Sequence, residues 1–186
     1  MDTQQLAAPF AVPTLQQVSS DAKTLLEQVQ KRIGMLPNLY ATIGYSAGAL
    51  KGMLDFENAL AHGSHFTAKE REAINLVVSQ VNDCAYCLAA HTALAKAKGF
   101  TEDETLAIRK AAIADPKLNT IVRLAQSVAA NKGKADPQLL DAFEKAGFHE
   151  GALMELLGWI SLRTFTNYVY ANTGIPIDFP EAPALH

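Results

Sequence analysis

Only two of the 186 residues are cysteine, too few for the disulfide framework of a small secreted domain. Charge of one sign is lacking too. Sixteen basic residues stand against nineteen acidic ones, for a net charge of −3, and so even a balance argues against a nucleic-acid-binding surface. No 18-residue stretch is both uncharged and strongly apolar, so no membrane span is expected. Met1-Asp2-Thr3-Gln4-Gln5 lacks the basic region of a secretion signal. A cytoplasmic, reducing location is therefore the expectation, where two cysteines are not a permanent staple. Convincing runs of alternating apolar and polar β-branched residues are missing, so no sheet is expected. No short-period repeat or low-complexity tract occurs. Nothing resembles a nucleotide or flavin fingerprint, so no bound organic cofactor is expected.

What is present points to helices throughout. About one residue in six is Ala, and Leu, Glu, Gln and Lys fill most of the rest between regular Gly and Pro stops. The expectation is a compact all-α bundle, a single domain over residues 1–186 or two small halves sharing a core. Residues 1–18 read as an irregular lead-in and 175–186 as an extended tail held by Ile175, Ile177 and Phe179. Helices are predicted over 20–32, about 38–44 and 46–62. Capping boxes at Thr67/Glu70 and Thr101/Glu104 open two more, the second running to about Ile113. Asp115-Pro116 and Asp136-Pro137 start the next two. The last spans roughly 150–172 and is apolar around much of its girth, from Leu153 to Phe165. Such a helix is buried in a core or between subunits, and the second case means a homo-oligomer.

The chemistry concentrates in Glu72–His91, EAINLVVSQVNDCAYCLAAH. Both cysteines lie here. Asn82-Asp83 interrupts the helical pattern, and either residue is a candidate cap for a new helix. On that helix Cys84 and Cys87 are one turn apart, close enough to open and close a disulfide. Cys87 and His91 are spaced i,i+4 and share a face. Glu72 would lie roughly 18 Å from Cys84 on one continuous helix. A reversal at Asn82-Asp83 brings it instead to the level of His91, about ten residues before the turn against nine after. A thiol is nucleophilic only as thiolate. His91 can take its proton, and Glu72 can fix the tautomer and stabilise the imidazolium. Asp83, if it caps the helix, opposes thiolate formation.

Three functions fit these residues. One is a thiol enzyme. Another is a disulfide oxidoreductase or redox adaptor, needing an accessible Cys84 and a protein partner. The third is a non-redox assembly protein, because Cys, Cys, His and Glu are also competent zinc ligands; the absence of a second Cys/His pair speaks against metal. Outside the segment, His62, His65 and His149 read as solvent-facing and His186 as a terminal residue. Trp159, Phe165 and Tyr168 read as core or interface. Lys96 and Lys98 suit the end of the cysteine helix, and Arg109, Lys110 and Arg123 look like a solvated face.

The pattern E-x11-C-x2-C-x3-H, met by Glu72, Cys84, Cys87 and His91, resembles the core motif of AhpD-like alkylhydroperoxidases in the carboxymuconolactone decarboxylase superfamily. LPNLYATIGYSAGALKGMLDFENAL and IPIDFP look like its peroxidase-related branch, so the similarity covers roughly residues 30–180. The resemblance implies an all-α fold with two related helical halves, assembled as trimers or hexamers. It implies reduction of hydroperoxides, with an external thiol or protein as reductant. Cys87 would attack the peroxide, deprotonated through His91 and Glu72. Cys84, nearer the helix end and more exposed, would resolve the sulfenic acid and meet the reductant. The family's best-known member has a His between the cysteines. Tyr86 stands there in this chain, a phenol that would hydrogen-bond or pack in a second shell. The decarboxylase branch lacks the cysteine pair, so the motif does not suggest decarboxylation.

Overall fold

Local capping chemistry divides the chain into helices, and the computed structural model describes residues 10–63 and 65–185. Nine helices occur among them: α1 Ser20–Ile33, α2 Asn38–Ile43, α3 Ala47–Ala61, α4 Ala68–Val81, α5 Ala85–Ala97, α6 Glu102–Arg109, α7 Pro116–Ala130, α8 Pro137–Lys145 and α9 Glu150–Thr173. No strand occurs among the described residues, in keeping with the all-α expectation. No helix among the described residues is long and apolar enough to cross a membrane. The readings for residues 1–9 and His186 lie outside the described residues.

Side-chain oxygens of Ser19, Ser46, Thr67, Thr101, Asp115 and Asp136 accept first-turn amides and start six of the helices. Both predicted capping boxes form. Gly34 and Gly174 end α1 and α9 in the left-handed conformation.

Helix α4 is the hub, packed against α5, α6, α7 and α9. Ile74, Leu76, Val77 and Val78 are completely buried, each contributing about 1.5–3 kcal/mol by removal from water. Helix α9 lies across it with Leu156, Trp159, Ile160 and Leu162 buried and Met154, Phe165 and Tyr168 exposed. The three exposed side chains are therefore not core.

Several expectations need correction. Helix α6 ends at Arg109, not near Ile113, because Ala111 enters the left-handed region at φ 52°. Amides of Ala111 and Ala112 then close back on Ile108 and Ala107, a Schellman stop made without glycine. The turn lets Ile113 reach the core. Arg109 is not on a solvated face: it is buried, with Nε donating to Gln80 Oε1 at 2.8 Å and a terminal nitrogen to Pro183 O at 2.6 Å. It thereby ties the tail to α4. In that tail Ile175 is buried and Phe179 half-buried, but Ile177 is exposed, so the expected third apolar anchor is not one. His65 is half-buried, its ring edge-on to His149.

Candidate active site

The reversal between α4 and α5 builds the site. Asp83 takes φ 50°, a conformation that Asp tolerates better than most side chains. Its amide bonds Gln80 O, and the Cys84 amide bonds Ser79 O, so the turn is a complete Schellman stop. Neither Asn82 nor Asp83 caps α5. Cys84 does, with its Sγ accepting the Cys87 amide at 3.3 Å. Asp83 is exposed at the turn and does not supply the capping charge that would oppose a thiolate.

Folding back brings Glu72 and His91 together. Glu72 Oε2 and His91 Nδ1 are 2.7 Å apart, nineteen residues apart in sequence. Both side chains are largely buried, at 14% and 8% exposure, so the carboxylate points inward. Burial works to raise the Glu72 pKa, but the His91 charge and hydrogen bond, with Arg163 and Asn75, outweigh it, and the net shift is downward. Burial, then the Arg163 charge, lowers the His91 pKa against the pull of Glu72. At neutral pH the pair is a carboxylate and a neutral imidazole. Nδ1–H donates to Glu72, which leaves Nε2 as the acceptor nitrogen.

Both thiols are free and buried, each 1% exposed. This corrects the expectation that Cys84 is the more exposed: as the cap residue it tucks under the first turn of α5. The sulfurs differ electrically. The Cys84 thiol hydrogen-bonds to Cys87, and despite opposing burial the Cys87 pKa is brought down to about 7, aided by Arg163, Asn167 and Thr166. The same hydrogen bond, then burial and the neighbouring charge, holds Cys84 protonated with its pKa raised. One proton is shared unequally, and Cys87 is the more acidic sulfur of the pair.

Cys87, His91 and Glu72 all line one cavity of about 370 Å³, together with Arg163, Trp159 and Phe179. Cys84 does not line it. No hydrogen bond joins His91 to Cys87 among the described residues, so a proton passing between them would travel through a molecule in the cavity.

Three contributors from α9 lie far from the cysteine motif in sequence and are missed by its spacing. Arg163 is buried, with Nε donating to Asn75 Oδ1 and a terminal nitrogen to Thr166 Oγ1, both at 3.2 Å. Thr166 and Asn167 reach the cysteine pair. Asn167 also bonds Asn82 at 2.8 Å and Ser79 at 3.3 Å, buttressing the turn. A polar run R-T-F-T-N inside an otherwise apolar helix was the one available hint. Tyr86 turns away from the sulfurs toward the tail. Its hydroxyl donates to Asp178 Oδ1 at 2.6 Å and accepts from Leu39 N at 3.2 Å. Burial, then Asp178, raises its pKa, so it stays a neutral phenol. No cluster of three or more His, Cys, Asp or Glu suited to a metal ion occurs among the described residues.

The nine helices among the described residues, the cysteine pair at the α4–α5 turn and the inward Glu–His couple make an all-α protein whose fold is that of AhpD-like structures. Residues 47–127, which hold Glu72, both cysteines and His91, match the model of the Carboxymuconolactone decarboxylase family. No curated protein matches the chain significantly. Among solved structures, the AhpD core of an uncharacterized peroxidase-related protein from Ralstonia eutropha JMP134 superposes with a TM-score of 0.81 at 20% identity, over 92% of this chain and 94% of that one. An uncharacterized peroxidase-related protein from Silicibacter sp. TM1040 gives 0.78 at 20% identity, over 94% and 95%. The debrominase Bmp8, as a cysteine-to-alanine variant in complex with 2,3,4-tribromopyrrole, gives 0.74 at 17% identity, over 95% and 93%.

Proposed function

We propose that the protein is a thiol-dependent hydroperoxide reductase of antioxidant type. The observation that carries this reading is the unequal cysteine pair: a cavity-lining Cys87 with its pKa near 7 beside a protonated Cys84. The Cys87 thiolate attacks the terminal oxygen of ROOH, the O–O bond breaks, and the leaving alkoxide takes a proton to give ROH. Cys87 is then a sulfenic acid. The Cys84 thiol attacks that sulfur, expelling water and closing the Cys84–Cys87 disulfide. An external dithiol restores both thiols by exchange and leaves as its own disulfide.

His91 and Glu72 serve as the proton store. Neutral His91 accepts the Cys87 proton through a molecule in the cavity and returns it to the leaving oxygen, while Glu72 steadies the imidazolium that forms. Arg163 supplies the fixed positive charge that a buried thiolate needs. Since Cys84 is buried in the reduced protein, the reductant meets the disulfide only after the first turn of α5 shifts. Exposed Phe56, Met154, Phe165 and Tyr168 suit a homo-oligomer, trimeric or hexameric, and two free thiols suit a reducing compartment such as the cytoplasm.

The test is a sulfenic-acid trap applied to the Cys84→Ser protein after one equivalent of hydroperoxide. Labelling at Cys87 is expected. No labelling, with rapid disulfide exchange in the wild type, would favour a redox adaptor.

A second reading is favoured by the cavity, which is far larger than a peroxide requires, and by the likeness to a debrominase. The same thiolate would take bromine from an aryl carbon that gains a proton, and Cys84 would displace bromide to give the same disulfide. Bromide release from a brominated pyrrole separates this reading from the first.

A further inference from the structure

The cavity carries more positive charge than the chemistry at Cys87 uses. Four cations line it: Arg32, Arg71, Lys98 and Arg163. Two carboxylates face them, and both are engaged. Glu72 holds His91. Glu57 accepts from the Tyr40 hydroxyl at 3.3 Å and lies 4.0 Å from Arg32. The lining therefore stays positive even when Cys87 is counted as a thiolate, in a chain whose net charge is −3.

Arg71 is the cation placed to grip a ligand. One of its terminal nitrogens donates to Ala61 O at 2.6 Å, the last carbonyl of α3. Its guanidinium lies 5.6 Å from the centre of the Trp159 ring, an arrangement that holds the group flat and pre-organised. The side chain is half-buried, and it makes no ion pair among the described residues. Its remaining donors form a planar fork suited to a carboxylate. Lys98, also unpaired among the described residues, adds charge at the rim. The same cavity that holds Arg71 and Cys87 is also lined by the apolar side chains of Leu39, Trp159 and Phe179. A volume of about 370 Å³ is that of a small-molecule pocket. Hydrogen peroxide, with two heavy atoms, would leave most of it unfilled.

We infer that the substrate is an organic molecule with an apolar body and a carboxylate, the carboxylate held by Arg71 and the reducible group delivered to Cys87. For its chemistry this inference rests on the peroxidase reading, so the kinetic test is paired with a binding test that does not.

Two hydroperoxides that differ by one group serve as probes: cumene hydroperoxide and its para-carboxylate. With dithiothreitol as reductant, the carboxylate is expected to have a kcat/KM at least tenfold higher, mainly through KM. In Arg71→Gln that preference should fall to within about twofold, and in Arg71→Lys it should partly return. A merely structural Arg71 would lower both substrates alike. Equal turnover of the two by the wild type would overturn the inference and leave the peroxidase reading standing. If neither is turned over, the peroxidase reading fails and binding decides. Trp159 is the only tryptophan in the chain, so its fluorescence reports on the cavity. In Cys87→Ser protein, 4-isopropylbenzoate should bind at least tenfold more tightly than 4-isopropylbenzyl alcohol, with the advantage lost in Arg71→Gln and reduced by salt. Equal binding, or none, would overturn the inference.

Discussion

Replacing Cys84 with alanine should do more than remove a resolving thiol. The hydrogen bond from Cys84 is the largest influence lowering the Cys87 pKa to about 7, ahead of Arg163, Asn167 and Thr166. Alanine deletes that donor and leaves Cys87 buried, so its pKa should rise toward the free-thiol value of about 8.5. At pH 7 the thiolate fraction would then fall from about one half to about 3%. A more basic thiolate is intrinsically more nucleophilic, with a Brønsted slope of about 0.4–0.5, so the rate at fixed pH drops only about threefold. The informative quantity is therefore the midpoint of the pH–rate profile for alkylation by an uncharged reagent. It should move upward by more than one pH unit in Cys84→Ala. Cys84→Ser, which keeps a hydroxyl donor, should fall between. An unchanged midpoint would refute the idea that the two sulfurs share a proton unequally. An acidic Cys84 in the Cys87→Ala protein would reverse the assignment of the pair.

Further outcomes follow from the same geometry. Glu72→Gln keeps the shape but removes the charge that steadies His91, and should slow turnover by about 10–10², measured as kcat/KM for a hydroperoxide. Acid should destabilise the fold in two stages. The His91 pKa is lowered on folding, so stability is lost as pH falls below about 6.5, where the unfolded imidazole binds a proton that the folded one refuses. The Glu72 pKa is lowered as well, so its contribution is complete above the unfolded value of about 4.3 and is lost as pH falls through the lower folded value. Urea midpoints measured between pH 8 and pH 4 should decline, and His91→Gln should flatten the upper part of that decline. Tyr86→Phe leaves the Leu39 amide and Asp178 without their shared hydroxyl and should cost about 1–3 kcal/mol, read from denaturant unfolding.

Much of this architecture is legible in the amino-acid order because helix ends are chemically marked. Ser, Thr and Asp caps, Asp-Pro pairs and stop glycines fall where the helices begin and end. Where a stop uses an unmarked residue, as Ala111 does, the reading overruns. The Glu72–His91 contact followed from counting turns on either side of Asn82-Asp83, since 1.5 Å per residue fixes the level of each side chain. The same counting says nothing about the third wall of the site. Arg163, Thr166 and Asn167 arrive on α9, more than seventy residues after the cysteines, through tertiary packing alone. Arg109 likewise looked solvated until the tail folded over it. Cysteine is seldom a cap residue, so the amino-acid order marks Cys84 for redox chemistry and not for capping.

The central claim is that Cys87 is the nucleophile and Cys84 its partner. Steady-state hydroperoxide consumption with a small dithiol as reductant tests it most directly, comparing wild type with Cys87→Ser and Cys84→Ser. The account predicts turnover in the wild type, background rates in Cys87→Ser, and a single turnover followed by stalling in Cys84→Ser. Wild-type rates in the Cys87→Ser protein would contradict it.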